Sequence, residues 1–301
     1  MKRMTGVNVP MVTPMTETGE VDLVSLARLT EHLISRGVSG LYPCGTTGEV
    51  NNLTPEERKA IYKTVVETAA GRVNVFCQIG GEVTSVSADF AKYAYEIGAD
   101  GIGLLTPTYY PLSDEELLAY LETVVRSVPE DFPVYLYGIP FMAVNRLSKS
   151  LVQELNRRCP NVIGIKYSVE DILTLMDFHR INNSTFDVLV APVQMFLPAL
   201  AVGICGTVSG NCNIIPEDLN ELIRLWNERK IDEARILQDR IAAVAAMTGV
   251  KEAAKCKALL KRIGVIDSDA VRLPQTGLTA VEKEELFRFF DENYPAYDYR
   301  R

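Results

Sequence analysis

Residues 161–168 read NVIGIKYS. Val162, Ile163 and Ile165 make a short β-branched run with the pattern of a buried strand, and that run ends on Lys166, followed by Tyr167 and Ser168. An ammonium at the edge of an apolar core is costly to desolvate, so a chain that places one there either lets it reach water or uses its altered basicity. Which of the two holds depends on the surroundings of the strand, and the flanking sequence repeats the pattern. Similar short runs fall at 7–12, 40–43, 73–79, 101–105, 134–137, 188–191 and 206–208. Between them, apolar residues recur at helical spacing over 23–36, 55–70, 86–97, 115–128, 149–158, 171–180, 195–202 and 216–229. Eight β/α pairs in this order predict an α/β chain closed into a (β/α)8 TIM barrel. A doubly wound sheet also alternates, but its first strand usually runs into a glycine-rich phosphate turn, and residues 13–20 here read TPMTETGE.

Local signals agree with the helices. Thr54-Pro55-Glu56-Glu57 and Ser113-Asp114-Glu115-Glu116 have the form of capping boxes, the first with proline at the first helical position. Gly37, Gly71, Gly98 and Gly264 each follow a helical run, where a left-handed cap is wanted. The barrel is expected to occupy residues 1–229. The rest, 230–301, has no strand signal and reads as an extension of about three helices, at 232–247, 251–263 and 279–293, packed on the barrel.

Composition narrows the function classes. A chain of 301 residues that is 47% hydrophobic and 23% charged can bury a large core. Its net charge of -8, spread without an acidic tail, argues against a nucleic-acid partner. The six cysteines (44, 77, 159, 205, 212 and 256) show no C-x-x-C spacing and mostly sit in apolar patterns, as buried thiols of a reducing compartment do. The start, MKRMTGVNVPMVTP, lacks an apolar signal core, and no run approaches a membrane span. A cytoplasmic protein without a membrane partner, a disulfide or a metal site is the expectation.

In a (β/α)8 barrel the active site forms at the C-terminal ends of the strands. The second strand runs into Gly45-Thr46-Thr47-Gly48-Glu49, the fourth into TPTYYP with Tyr109 and Tyr110, the fifth ends at Tyr137, and the sixth at Lys166. A partly desolvated lysine amine attacks a carbonyl to form a Schiff base, and the protonated imine is an electron sink for a neighbouring carbanion. The proton traffic needs an acid or base. His32 and His179, the only two histidines, fall in outer helices, so the phenol of Tyr137, one strand from Lys166, is the natural substitute. Hydroxyls and backbone N–H groups at Thr46 and Thr47, with Gly48, suit a small carboxylate. Taken singly, each feature has a plainer reading as a snorkelling lysine, a turn or a packing tyrosine. Together they describe a site for a 2-oxo acid.

The combination of GTTGE, PTYYP, YGIP and GIKYS over a chain of this length resembles the pyruvate-dependent class I aldolases of the dihydrodipicolinate synthase and N-acetylneuraminate lyase family. The resemblance implies a barrel assembled as a homotetramer, a dimer of dimers, working on pyruvate and a small aldehyde or 2-oxo acid with no metal or organic cofactor. It further implies that Lys166 carries the pyruvate imine and that Tyr137 shuttles protons. Thr46 would link Tyr137 to Tyr110, a residue that often serves a neighbouring subunit's site. Thr47 would hold the pyruvate carboxylate, and the backbone at Val208 would border the pocket.

Within the family the signals divide. Lysine-pathway synthases resemble the pattern Tyr-Asn-x-Pro-x-Arg-Thr-Gly, whose arginine grips a carboxylate of the second substrate, whereas this chain has YGIPFMAVNRL with Met142 at that place and Arg146 further on. An apolar residue there, PTYYP, and Ser168 resemble the lyase branch. The lyases' Asp-Glu pair after the seventh strand is here Val193 and Gln194. The expectation is therefore reversible cleavage of a 2-oxo-3-deoxy acid to pyruvate and an aldehyde, in the manner of N-acetylneuraminate lyase. The alternatives are a 4-hydroxy-tetrahydrodipicolinate synthase condensing pyruvate with aspartate semialdehyde and, more remotely, a noncatalytic binder of 2-oxo acids.

Overall fold

The structure, a computed structural model, describes residues 1–204 and 206–294. Eight parallel strands follow one another around a closed barrel: β1 (Gly6–Val9), β2 (Gly40–Leu41), β3 (Asn74–Gly80), β4 (Gly101–Leu105), β5 (Val134–Gly138), β6 (Val162–Tyr167), β7 (Asp187–Val190) and β8 (Gly206–Val208). The last strand pairs with the first in the register Gly6↔Gly206, Val7↔Thr207, Asn8↔Val208. That pairing excludes the doubly wound alternative. All eight strands match the sequence reading, with β1 ending three residues early because Pro10 has no N–H to give to a ladder.

Helices α1 (Leu23–Ser35), α2 (Pro55–Ala69), α3 (Thr84–Glu96), α4 (Asp114–Val125), α5 (Lys149–Arg158), α6 (Ile172–His179), α7 (Phe196–Ala201) and α8 (Pro216–Asn227) separate the strands and form the outer ring. Both expected capping boxes are formed, at Thr54/Glu57 and Ser113/Glu116. Gly37 and Gly98 end their helices with φ of 76° and 81°, backbone that a side chain would strain. The layer between strands and helices is one continuous apolar core. Among the described residues no helix is long and apolar enough to cross a membrane.

The inside of the barrel is filled, as its narrow bore demands, by Met4, Tyr42, Phe76, Tyr135, Leu189 and Val208. Large rings fit there because glycines face them. A Cβ on Gly101 would lie 2.3 Å from the Phe76 ring and one on Gly164 would lie 2.4 Å from the Tyr135 ring. Gly164 is the glycine of NVIGIKYS, so its function in the strand is to admit Tyr135. Around it the β5/β6 register slips by one residue, from Val134↔Val162 to Tyr135↔Gly164, and above it Lys166 pairs with Tyr137. The lysine therefore sits on the layer above the plugged barrel.

After α8 come α9 (Ile231–Thr248), α10 (Glu252–Arg262) and α11 (Ala280–Asn293), the three helices expected of the tail. α9 packs on α8, and both α9 and α10 pack on the turn Gly210–Asn213 that follows β8, which brings the start of α10 to the C-terminal mouth of the barrel. The five described cysteines are buried thiols; Cys205 lies outside the described residues.

Candidate active site

A cavity of about 770 Å³ opens at the C-terminal ends of the strands. It is lined by Thr46, Thr47, Tyr137, Met142, Lys166, Ser168, Gln194 and Val208, eight of the ten residues named from the sequence. Lys166 is only 4% exposed, and its Nζ lies 4.0 Å from the ring centre of Tyr137 and 5.2 Å from that of Tyr42. Among the described residues no carboxylate forms a salt bridge with it, so its cation is held by aromatic faces. An amine in such a place is positioned to attack rather than to neutralise an acid. Tyr42 belongs to the plug inside the barrel: its phenol is fully buried, hydrogen-bonds to nothing among the described residues, and is pushed up in pKa by burial.

The Tyr137 hydroxyl lies 3.0 Å from Thr46 Oγ1. Tyr137 is buried, and its ring packs edge-on against Tyr42, so the phenol is fixed between Lys166 and the 44–49 turn. That turn carries two non-glycine residues in the left-handed region, Cys44 (φ 57°) and Glu49 (φ 59°). Each such residue costs on the order of 1 kcal/mol, and persists only where its surroundings over-determine it. The constraint on Glu49 is visible: its carboxylate is ion-paired with Lys257 of α10, both side chains being fully buried. Lys257 also donates to Ala270 O at 2.8 Å. The helical tail thus clamps the turn that presents Thr46 and Thr47.

Two named residues stand elsewhere. Gly48 does not line the cavity; it is packed with its carbonyl accepting from Thr13 Oγ1 at 2.7 Å, and a Cβ there would meet Met11 O at 2.9 Å. Its smallness serves packing beneath the turn. Tyr110 is also outside the cavity, two-thirds exposed beside Tyr109, with its carbonyl tied to Asn145 Nδ2 at 2.9 Å. It belongs to a separate recess with Glu82, Pro107, Leu112 and Glu116. Val193 is buried in the main core, while Gln194 reaches the cavity and donates to Glu170 Oε1 at 2.8 Å. Arg146 does not line the cavity either. His32 lies in α1, and burial beside Arg36 lowers its imidazole to about 4.

The sequence reading missed what the tail contributes. Lys251, Glu252, Val271, Pro274, Gln275 and Thr276 all line the cavity, as do Ser209 and Asn211 after β8. Lys251 is engaged by Glu282 at 2.8 and 3.0 Å. Glu252 Oε2 accepts from Thr47 Oγ1 at 3.3 Å, and Oε1 accepts from Asn211 Nδ2 at 3.3 Å. Burial raises the Glu252 carboxyl above the usual range, against the opposing pull of the Thr47 hydrogen bond and the Lys166 charge.

The family model described as the dihydrodipicolinate synthetase family matches residues 3–292. A 4-hydroxy-tetrahydrodipicolinate synthase of Magnetococcus marinus is 32% identical over 284 residues, covering 94% of this chain and 96% of the relative. A solved structure of an Escherichia coli K12 prophage protein of the dihydrodipicolinic acid synthase family, in complex with pyruvate, superposes with a TM-score of 0.91 at 28% identity, covering 96% of this chain and 98% of that one. The N-acetylneuraminate lyase of Mycoplasma synoviae superposes with a TM-score of 0.87 at 25% identity, covering 97% and 98%.

Proposed function

The chain belongs to the dihydrodipicolinate synthetase family, and from that premise we propose that it is a carbon–carbon lyase that holds pyruvate as an imine on Lys166. The observation that carries this reading is the placement of the Lys166 amine against the Tyr137 ring, with the Tyr137 hydroxyl bonded to Thr46 in the same cavity. The amine adds to the ketone carbon and water leaves. The resulting iminium withdraws electrons from the adjacent methyl carbon, which loses a proton and attacks the carbonyl or imine carbon of a partner. In reverse, Tyr137 takes the proton of a 4-hydroxyl as the carbon–carbon bond breaks. Thr47 and the neighbouring backbone hold the pyruvate carboxylate, and Val208 and Ser168 border the bound acid. Tyr110, exposed in the single chain, completes the Thr46–Tyr137 pair across a contact between two copies of a tetramer. Light scattering that found a fully active monomer would remove Tyr110 from the site.

For the partner, the names of the relatives support condensation with aspartate semialdehyde, 4-hydroxy-tetrahydrodipicolinate synthesis, ahead of the sialic-acid type of cleavage expected from the sequence. One feature of the cavity favours the second reading, cleavage of a 2-oxo-3-deoxy acid. No arginine lines the cavity among the described residues, Met142 occupies its mouth, and Lys251 is already engaged by Glu282. A free carboxylate on the partner has no charge-assisted contact of roughly 1.5–3 kcal/mol to gain at Met142. Borohydride added with pyruvate tests the common chemistry: a mass adduct on Lys166 is expected, and an unmodified lysine refutes it. Pyruvate release from N-acetylneuraminate, 2-keto-3-deoxygluconate and 4-hydroxy-2-oxoglutarate, run beside the condensation, separates the two readings.

A further inference from the structure

Glu252 lines the cavity without a task in the imine chemistry, and three segments converge on it. It is the first residue of α10, and its carboxyl touches Thr47 from the turn after β2 and Asn211 from the turn after β8. The Asn211 amide is itself oriented, because its Oδ1 accepts from Thr248 Oγ1 at 2.8 Å and so leaves Nδ2 to face Glu252. Between them Gly210 makes the room: a Cβ there would stand 2.1 Å from Glu252 Oε2. This is a fixed position for a carboxyl, built at the inner wall of the cavity.

The position conflicts with a charged carboxyl once substrate arrives. Thr47 Oγ1 is the hydroxyl assigned to the carboxylate of the 2-oxo acid, and it lies 3.3 Å from Glu252 Oε2. A ligand oxygen at hydrogen-bond distance from Oγ1 is then no further than about 6 Å from that oxygen. Two carboxylates so close repel one another, which favours the state in which one holds a proton. We propose that Glu252 is the proton-gated specificity residue of this site: a 2-oxo acid docks its carboxylate on Thr47 only while Glu252 is neutral and donates its O–H towards the ligand. This rests on the reading of Lys166 and Thr47 given above.

The other charged and titratable neighbours do not take over the task. Lys166 on β6 pulls the Glu252 carboxyl towards its charged form, a smaller effect than the burial that opposes it. Cys212 beside β8 and Cys256 on α10 have their thiols pushed up by burial, Cys212 to about 12, so both stay neutral. Lys251 is engaged by Glu282 of α11, and Lys257 by Glu49. Glu170, across the cavity, accepts from Gln194. Burial already favours the neutral form of Glu252 in the free protein.

The test compares pyruvate with its methyl ester on the intact wild-type chain, by borohydride trapping on Lys166 as a function of concentration and pH. Imine formation depends on the protonation of Lys166 equally for both, so the ratio of their apparent Kd values isolates the carboxylate. Above the pH at which Glu252 ionises, the pyruvate-to-ester ratio is expected to rise about tenfold per pH unit. In Glu252→Gln, which keeps a donor and cannot ionise, the ratio is expected to be flat. A ratio independent of pH in the wild type overturns the proposal even if the variant fails to fold, as does a slope that persists in Glu252→Gln. Absence of any adduct on wild-type Lys166 at every pH overturns the imine reading itself, and this proposal with it.

Discussion

Replacing Lys257 by methionine should destabilise the protein far more than its distance from the cavity suggests. The Lys257 ammonium and the Glu49 carboxylate are ion-paired with both side chains fully buried, and Glu49 Oε2 has no further partner among the described residues. Methionine keeps most of the packing volume but leaves a buried carboxylate without its cation. Removing one partner of such a pair costs roughly 3–5 kcal/mol. At about 2 °C per kcal/mol for a chain of this size, Tm should fall by about 6–10 °C. Replacing both residues, in Glu49→Gln with Lys257→Met, removes the stranded charge and should recover most of the loss. The cost has a second component that activity reads. Without the clamp the left-handed Glu49 is no longer over-determined, and the 44–49 turn that carries Thr46 and Thr47 relaxes. The Ala270 carbonyl loses its donor too, loosening the segment that supplies Val271 and Pro274 to the cavity. Urea denaturation and pyruvate KM, measured well below Tm, check both components. A Lys257→Met protein within about 1 kcal/mol of wild type, or a double variant no better than the single, would refute this account of the clamp.

Three further outcomes are expected. Tyr137→Phe should lower kcat by about 10²–10⁴-fold while borohydride still traps pyruvate on Lys166; an unchanged kcat would remove the phenol from the proton path. Met142→Arg should raise kcat/KM for aspartate semialdehyde by an amount corresponding to roughly 1.5–3 kcal/mol if the missing guanidinium is what limits that reaction; no gain would show that this position does not meet the partner's carboxylate. Glu252→Gln should become more stable than wild type as pH rises above the ordinary glutamate range. The raised native pKa means that the folded chain binds the proton more tightly than the unfolded one, so wild-type stability from this group is present at low pH and is lost as pH rises through the native value. Melting curves at pH 4.5 and 8 read the difference, and an equal gap at both would contradict the shift.

The barrel was legible because its signals are local. Period-2 runs, capping boxes and helix-ending glycines each depend on neighbours in sequence, and Thr54, Ser113, Gly37 and Gly98 do in the fold what their residue types dictate. Lys166, Tyr137, Thr46 and Thr47 were legible for a related reason: a parallel barrel collects its strand ends at one mouth, so knowing the strands places the residues that follow them. Gly48 was misjudged because neighbours in a tight turn point in opposite directions, and a glycine between a threonine and a glutamate carries no mark of which face it serves. Glu252 illustrates the limit most clearly. An acid at the first position of a helix is what the helix dipole favours anywhere, so sequence offers no reason to remove it from the solvated class. Its contacts, Thr47 and Asn211, lie 205 and 41 residues away, and they arise only because α9 and α10 fold back over the turn after β8. The consequence reaches the function. On the proposed reading, the strands and the turn after β2 supply the amine, the phenol and the hydroxyls for imine chemistry, whereas much of the remaining cavity wall comes from the tail and from the loop at Met142. Two chains that share the strand-end residues can therefore share the reaction while differing in substrate, and the differences to compare between them are those near 142, 194 and 251–276.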